Sequence, residues 1–301
     1  MSSDTRGADH LRIGLVLGAG GTAGGAFIRG AFDAIAEHSQ WHPRAATTVV
    51  GTSIGALTGA RLGPESQSDD IPTAARTLVD VARGWPELEA ERGHRLVVLG
   101  RRLGGRVLAA VAPAGRTKAT YPVGQPPYHQ HLYTVAVTRR SGRRVVSRLV
   151  DQDDPTAWLY ASAAVPMVNS PVAIGDDVFI DGAVHSTTNA DLISPDDHDA
   201  LVVIAPMVIR DGGTVVARSH RAQLVVELAP WYHSGKPAIV VLPSAADVAD
   251  KHDHDAFARA GYASFVRLLG PRWPRPQSSS PPQLIAHRLR CGKMSETSVP
   301  M

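Results

Sequence analysis

Cysteine is nearly missing from this chain of 301 residues. Cys291 stands alone, so no intramolecular disulfide can form and a disulfide-stapled secreted scaffold is excluded. No stretch approaches ~18 uninterrupted apolar residues, the length a membrane-spanning helix needs. The most apolar run, Ile13 to Ile28, is rich in glycine. Met1 to His10 are polar and lack the apolar centre of a signal peptide. These absences lead to the expectation of a soluble, cytoplasmic protein and leave peripheral membrane contact open. The formal charge of +3 is too small to argue for nucleic acid, and a pI near 9.2 gives only a mild bias toward anionic surfaces. There is no Gly-Lys-[Ser/Thr] step, which excludes a P-loop, and no internal repeat. No metal site is expected. His252-Asp253-His254-Asp255 alternates suggestively, but such a run at a helix start is usually a solvated cap.

Apolar residues make up 44% of the chain, enough for a sizeable core. Leu11 to Leu17 reads as a buried strand ended by glycine, followed by a glycine-rich turn, Gly18 to Gly25. A helix is expected over about 26–37, with Phe27, Ala31, Ala34 and Ile35 on one stripe. A second strand, Thr47 to Val50, runs into Gly51-Thr52-Ser53-Ile54-Gly55 and a small-residue helix to about Arg61. Two strand–glycine turn–helix units predict an α/β sheet of largely parallel strands.

Residues 64–128 carry many arginines, with apolar stretches at Leu96 to Leu99 and Val107 to Val111. They predict helices and loops forming a cap insertion. Two readings suit its arginines and interleaved aliphatic residues: an amphipathic helix packed on the domain, or one resting on an anionic bilayer. A hairpin is expected around Ser141-Gly142, and a helix over about 153–164 with Pro155 in its first turn. Short strands are expected at 171–174 and 178–180, and buried strands at 201–205 and 238–242. Helices are placed near 219–228 and 255–269. From Pro271 the composition shifts to Pro, Ser and Arg, that of a disordered tail. One domain over 8–270 and a tail over 271–301 is the expected organisation.

Three motifs bear on chemistry. Gly51-Thr52-Ser53-Ile54-Gly55 is a G-x-S-x-G pentapeptide between a strand and a helix, the setting of a nucleophile elbow. Alone, it is also compatible with a tight turn capped by a serine. Gly18-Ala19-Gly20-Gly21 can gather backbone N–H groups around an anion or oxyanion. Gly18, Gly20 and Ala23 also satisfy a dinucleotide fingerprint, but the acid that would hold the ribose after the second strand is missing. Asp181-Gly182-Ala183 follows a short strand and, alone, is an ordinary turn.

Taken in order, the three motifs resemble the patatin-like phospholipase family, with 128 residues between Ser53 and Asp181. Flanking blocks resemble it as well: Gly25 to Phe32, Ala161-Ser162-Ala163-Ala164-Val165-Pro166, and Thr188-Asn189-Ala190-Asp191. The resemblance covers roughly 11–205 in scattered blocks. It implies a three-layer α/β/α fold and a lipid acyl ester hydrolase of phospholipase A, lysophospholipase or esterase type. It implies Ser53 as nucleophile and Asp181 as base, with backbone N–H groups of Gly20, Gly21 and Thr22 as the oxyanion hole. Gly18, Gly51, Gly55 and Gly182 take supporting places in the turns, and no cofactor is called for. One departure stands out. Relatives place Arg or Lys directly after the oxyanion glycines, where this chain has Thr22, Ala23 and Gly24. Arg29 lies too far along the helix to replace it simply.

Competing readings are a catalytically silent relative that binds acyl chains or a partner, a dinucleotide-binding oxidoreductase, and a Ser-acid-His triad. For the triad, His185, His198 and His233 are the candidate bases.

Overall fold

Every residue of strand β1 (Ile13–Leu17) is buried, the pattern of a strand covered on both faces. The computed structural model describes residues 11–39, 41–64, 95–118, 121–212, 214–248 and 252–269. After β1 come α1 (Gly21–Ser39), β2 (Thr48–Thr52), α2 (Ile54–Gly59), α3 (Arg95–Val111), β3 (Leu132–Thr138) and β4 (Arg144–Arg148). They are followed by α4 (Pro155–Ser162), β5 (Val172–Ile174), β6 (Asp177–Asp181), β7 (Ala200–Ile204), α5 (Val215–Ser234), β8 (Ala238–Val241) and α6 (His254–Leu269).

The strands form one sheet in the order β5-β6-β3-β2-β1-β7-β8, with β4 paired to β3. From β3 through β2, β1 and β7 to β8 every pairing is parallel. The pairings of β3 with β4 and β6, and of β5 with β6, are antiparallel. Alternation along the strands divides the core into two. Leu15 and Leu17 face Phe27 and Ile28 of α1, Leu57 of α2 and Phe265 of α6. Val16, Val50 and Val203 face Leu224 and Trp231 of α5 on the other side. The result is the expected three-layer α/β/α sandwich around a largely parallel sheet.

Several expected elements shift. The glycine-rich turn was expected to run through Gly25, but α1 starts at Gly21, so Thr22 to Gly25 are helical. Packing overrides glycine's poor helix propensity there: a Cβ on Gly25 would lie 2.9 Å from Ile54 Cγ1, and one on Gly24 3.2 Å from Pro206 Cβ. The two apolar stretches expected at 96–99 and 107–111 are joined in one helix, α3, across Gly104 and Gly105. Helix α5 exceeds the expected 219–228. Thr214 caps its start by accepting from the Ala217 N–H, and Gly235 ends it in the left-handed conformation. Residues 65–94 of the expected cap and the expected tail, 271–301, lie outside the described residues. Among the described residues no helix is long and apolar enough to cross a membrane.

Helices α1 and α6 cross so closely that a Cβ on Gly30 would run into the Ala258 carbonyl, and one on Gly261 into the Phe27 carbonyl. Gly261→Leu should therefore destabilise the protein by about 3 kcal/mol despite its better helix propensity. Ala263→Leu, at an exposed position of the same helix, should change stability by no more than about 0.5 kcal/mol. Urea unfolding of the two variants measures the difference.

Candidate active site

Ser53 sits between β2 and α2 with φ 57° and ψ −123°, a conformation that L-residues rarely adopt and that costs about 1–3 kcal/mol. The surroundings enforce it. A Cβ on Gly51 would press on the Ala56 backbone and one on Gly55 on the Leu17 carbonyl, so only glycine lets the chain turn this sharply. The Ser53 N–H donates to Ser162 Oγ at 3.0 Å. The Ser53 carbonyl accepts from the N–H groups of Ala56 and Leu57 as α2 begins.

This turn aims the hydroxyl at Asp181, which closes β6. Ser53 Oγ donates to Asp181 Oδ2 at 2.7 Å, and the Ala183 N–H donates to Asp181 Oδ1 at 2.7 Å. The carboxylate is 2% exposed. Burial raises its pKa from an ordinary 3.8 to about 6, while the bonds from Ser53 and Ala183 oppose the rise. A carboxyl near 6 remains ionised at neutral pH and is a better proton acceptor than an exposed one. Gly182 is required by close approach, because a Cβ there would collide with the Val135 carbonyl.

The glycine loop is pinned alongside. Gly18 N–H donates to the Ile204 carbonyl at 2.9 Å and Ala19 N–H to the Thr187 carbonyl at 2.8 Å. The Gly20 carbonyl accepts from Gly24, so the amides of Gly21, Thr22 and Ala23 form the first turn of α1. Helix geometry gives those amides no acceptor within the helix. Gly18 lies beside the start of α2, its carbonyl 2.9 Å from where a Gly55 Cβ would stand. A cavity of about 420 Å³ opens next to this region, lined by Thr22, Arg29, Phe32, Ile54, Arg61 and Tyr121 among others. It borders the elbow through Ile54 without being lined by Ser53 or Asp181. Arg29 thus shares a cavity with Thr22, placing a guanidinium on the same face of α1. Burial and the nearby Arg29 lower the Arg61 pKa.

The histidine candidates separate clearly. His198 bonds Thr48 Oγ1 and the Ser194 carbonyl, at the end of β2 remote from Ser53. His233 is exposed at the end of α5. His185 lies one turn past Asp181, and burial together with Arg144 and Arg102 lowers its pKa to about 4, leaving it neutral. Ser53 Oγ instead donates to a carboxylate.

Sequence reasoning missed the polar support under the site. Asn189, left-handed at φ 54°, donates from Nδ2 to Thr52 Oγ1 at 3.1 Å and to the Ser186 carbonyl at 2.8 Å. The fully buried Glu227 accepts from Thr188 Oγ1 at 2.6 Å, Ala190 N–H at 2.9 Å and Gln223 Nε2 at 2.8 Å. Burial also raises its pKa. Arg144 makes a bidentate pair with Asp191 at 2.7 and 2.9 Å. The signal for Glu227 was present: one acid within Leu224-Val225-Val226-Glu227-Leu228, an otherwise apolar run. Ser162 and Asn189 were singled out as parts of motifs, without roles.

No curated protein matches the chain. Among solved structures, the crystal structure of VipD from Legionella pneumophila aligns with a TM-score of 0.40 at 13% identity, covering 87% of this chain and 67% of that one. A family model described as patatin-like phospholipase matches residues 15–193, a span that includes the glycine loop, Ser53 and Asp181. The chain belongs to the patatin-like phospholipase family, a family of lipid acyl hydrolases.

Proposed function

We propose that the chain hydrolyses acyl esters of lipids through Ser53 and Asp181, within a domain spanning 8–270. The observation that carries this reading is the 2.7 Å hydrogen bond from a backbone-strained serine to a buried carboxylate. In the first half-reaction Asp181 accepts the Ser53 hydroxyl proton as Oγ attacks the ester carbonyl carbon. The tetrahedral oxyanion is met by backbone N–H groups of Gly20, Gly21 and Thr22. Collapse breaks the bond to the alcohol, which leaves with the proton from Asp181, and the acyl group stays on Ser53. Water then gives a proton to Asp181 and attacks the acyl-enzyme. Ser53 recovers that proton as the carboxylic acid departs. Aspartate can serve as base because burial has raised its affinity for a proton.

Hydrolysis of p-nitrophenyl esters of increasing chain length tests the assignment. Ser53→Ala and Asp181→Asn should each lower kcat/KM by about 10⁴-fold, as loss of a serine hydrolase's core residues does. His185→Ala should retain most activity. A wild type inactive on every ester, with Ser53 unreactive toward a fluorophosphonate, would instead make this a binding pocket.

The raised pKa has two pH consequences. Asp181 must be ionised to act, so kcat/KM should fall about tenfold per pH unit below about pH 6 and level off above it. Stability runs the other way. Between about pH 4 and pH 6 the folded state keeps a proton that the unfolded chain has released, so raising the pH through this window destabilises the fold. A shift from 3.8 to about 6 corresponds to about 3 kcal/mol at most. Asp181→Asn removes that penalty. Calorimetry should show the inactive variant melting above wild type at pH 8, with the gap closing near pH 4. Equal melting at pH 8 would mean that the carboxylate carries no burial penalty.

A further inference from the structure

Helix α3 is built inside out. Its inward face carries Val98, Gly105 and Ala109, with Arg101 and Arg102 partly buried beside them. Gly105 lies against the Val184 carbonyl, on the turn that follows Asp181. Ala109 packs with Val137 and Ile180. The outward face holds Leu96, Leu99, Leu103, Val107 and Val111, which are 81, 54, 50, 61 and 70% exposed. Steps of three and four residues place these five on one stripe along the whole helix. A helix facing water ordinarily carries charge there, so this ridge is fitted to an apolar occupant.

The surrounding charge selects among occupants. From Arg95 to Val150 the chain has eleven Lys and Arg and no Asp or Glu, against +3 for the whole protein. Part of that charge sits beside α3, while Arg144 and Arg148 pair with Asp191 and Asp151. The β3–β4 turn closes on the helix, with Gly142 against the Arg106 backbone, and Arg139 Nη2 donates to the Ala112 carbonyl at 3.0 Å. Arg140 and Arg143 of the same turn are exposed. A second copy of this face would meet its own excess of positive charge, which disfavours self-pairing. A lipid surface with anionic headgroups meets both features at once: aliphatic side chains enter the acyl boundary while guanidinium groups meet phosphates.

We propose that α3 and the β3–β4 turn form a docking surface for an anionic lipid bilayer. Because the inward face of α3 packs on the turn that follows Asp181, a docked bilayer lies one helix away from that turn. The surface itself does not depend on Ser53 being a nucleophile, so its test can be separated from that of the reaction.

The full chain carrying Ser53→Ala, which cannot consume ester lipid by the proposed route, is sedimented with vesicles. One set contains equal parts of phosphatidylglycerol and phosphatidylcholine, the other phosphatidylcholine alone. Binding to the anionic vesicles is expected, with little to the neutral ones. Leu103→Glu combined with Val107→Glu should lower binding at least about tenfold at an unchanged melting temperature. Arg140→Ala and Arg143→Ala should each lower it about fivefold and flatten its dependence on salt. If the glutamates disturb folding, Leu96→Ser with Val111→Ser tests the same ridge with a milder change. A chain that stays in the supernatant with anionic vesicles overturns the proposal. So does ridge-variant binding equal to the parent's, or a parent dimer in sedimentation velocity that the glutamates split.

Discussion

Strand β3 acts as the ruler for the Ser53–Asp181 contact. Thr52, the residue before the serine, pairs with Val135 of β3 in a parallel ladder. Asp181 pairs with Ala136, the next residue of β3, in an antiparallel ladder. The serine and the carboxylate arrive from opposite chain directions and meet because two ladders end at neighbouring positions of one strand. A slip of one residue in either ladder would turn Asp181 or the elbow to the other face of the sheet. The 2.7 Å hydrogen bond therefore depends on strand register before it depends on any side chain.

Burial makes this arrangement both expensive and useful. Removing a carboxylate from water costs several kcal/mol unless donors replace the solvent, and Asp181 has two, from Ser53 and Ala183. What they leave uncompensated is the rise in pKa to about 6. One stretch of chain supplies much of the support. Ala183 N–H bonds Asp181, the Thr187 carbonyl holds the glycine loop through Ala19, and Asn189 reaches Thr52 behind the serine. Within seven residues this stretch touches the Asp181 carboxylate, the glycine loop and the strand end before Ser53, the last through the Asn189 side chain. It is tied in turn to Glu227 on α5 through Thr188 and Ala190. Glu227 anchors it from within the layer on the other side of the sheet.

The legible parts of the sequence were those whose cause is local. The Ser53 turn announces itself because two glycines must flank a sharp strand-to-helix reversal. Buried strands show as short apolar runs, and the start of α4 as Asp154-Pro155, where the Asp154 side chain accepts from the Ala157 N–H. The hidden parts had distant causes. Nothing near Gly24 and Gly25 reveals that they are helical, because the reason is contact with Pro206 and Ile54. Asn189 looks like any polar loop residue until Thr52, 137 positions away in sequence, is brought beside it. His185 tempts a reader of sequence by its closeness to Asp181, yet burial and the neighbouring arginines keep it neutral.

The small-residue inward face of α3 follows from the same demand for close packing behind Asp181. The helix must approach the Gly182–Val184 turn closely enough for Gly105 to touch the Val184 carbonyl. That leaves room inward for glycine, alanine and one valine, but not for a row of leucines. Arg101 accepts the inward side because its long stem can pack on apolar surface while its head finds polar groups, Ser219 Oγ at 3.4 Å and the Ala183 carbonyl at 3.5 Å. Glu227 favours the charged form of Arg101, opposing the lowering of its pKa by burial. Small residues and arginines thus satisfy the inward face, and the packing sets no condition on the outer one. An ordinary soluble helix would place polar residues there at no cost to the packing beneath. The five aliphatic positions are thus the one feature of α3 that packing behind Asp181 does not require, which is why an external apolar phase accounts for them better than the fold does.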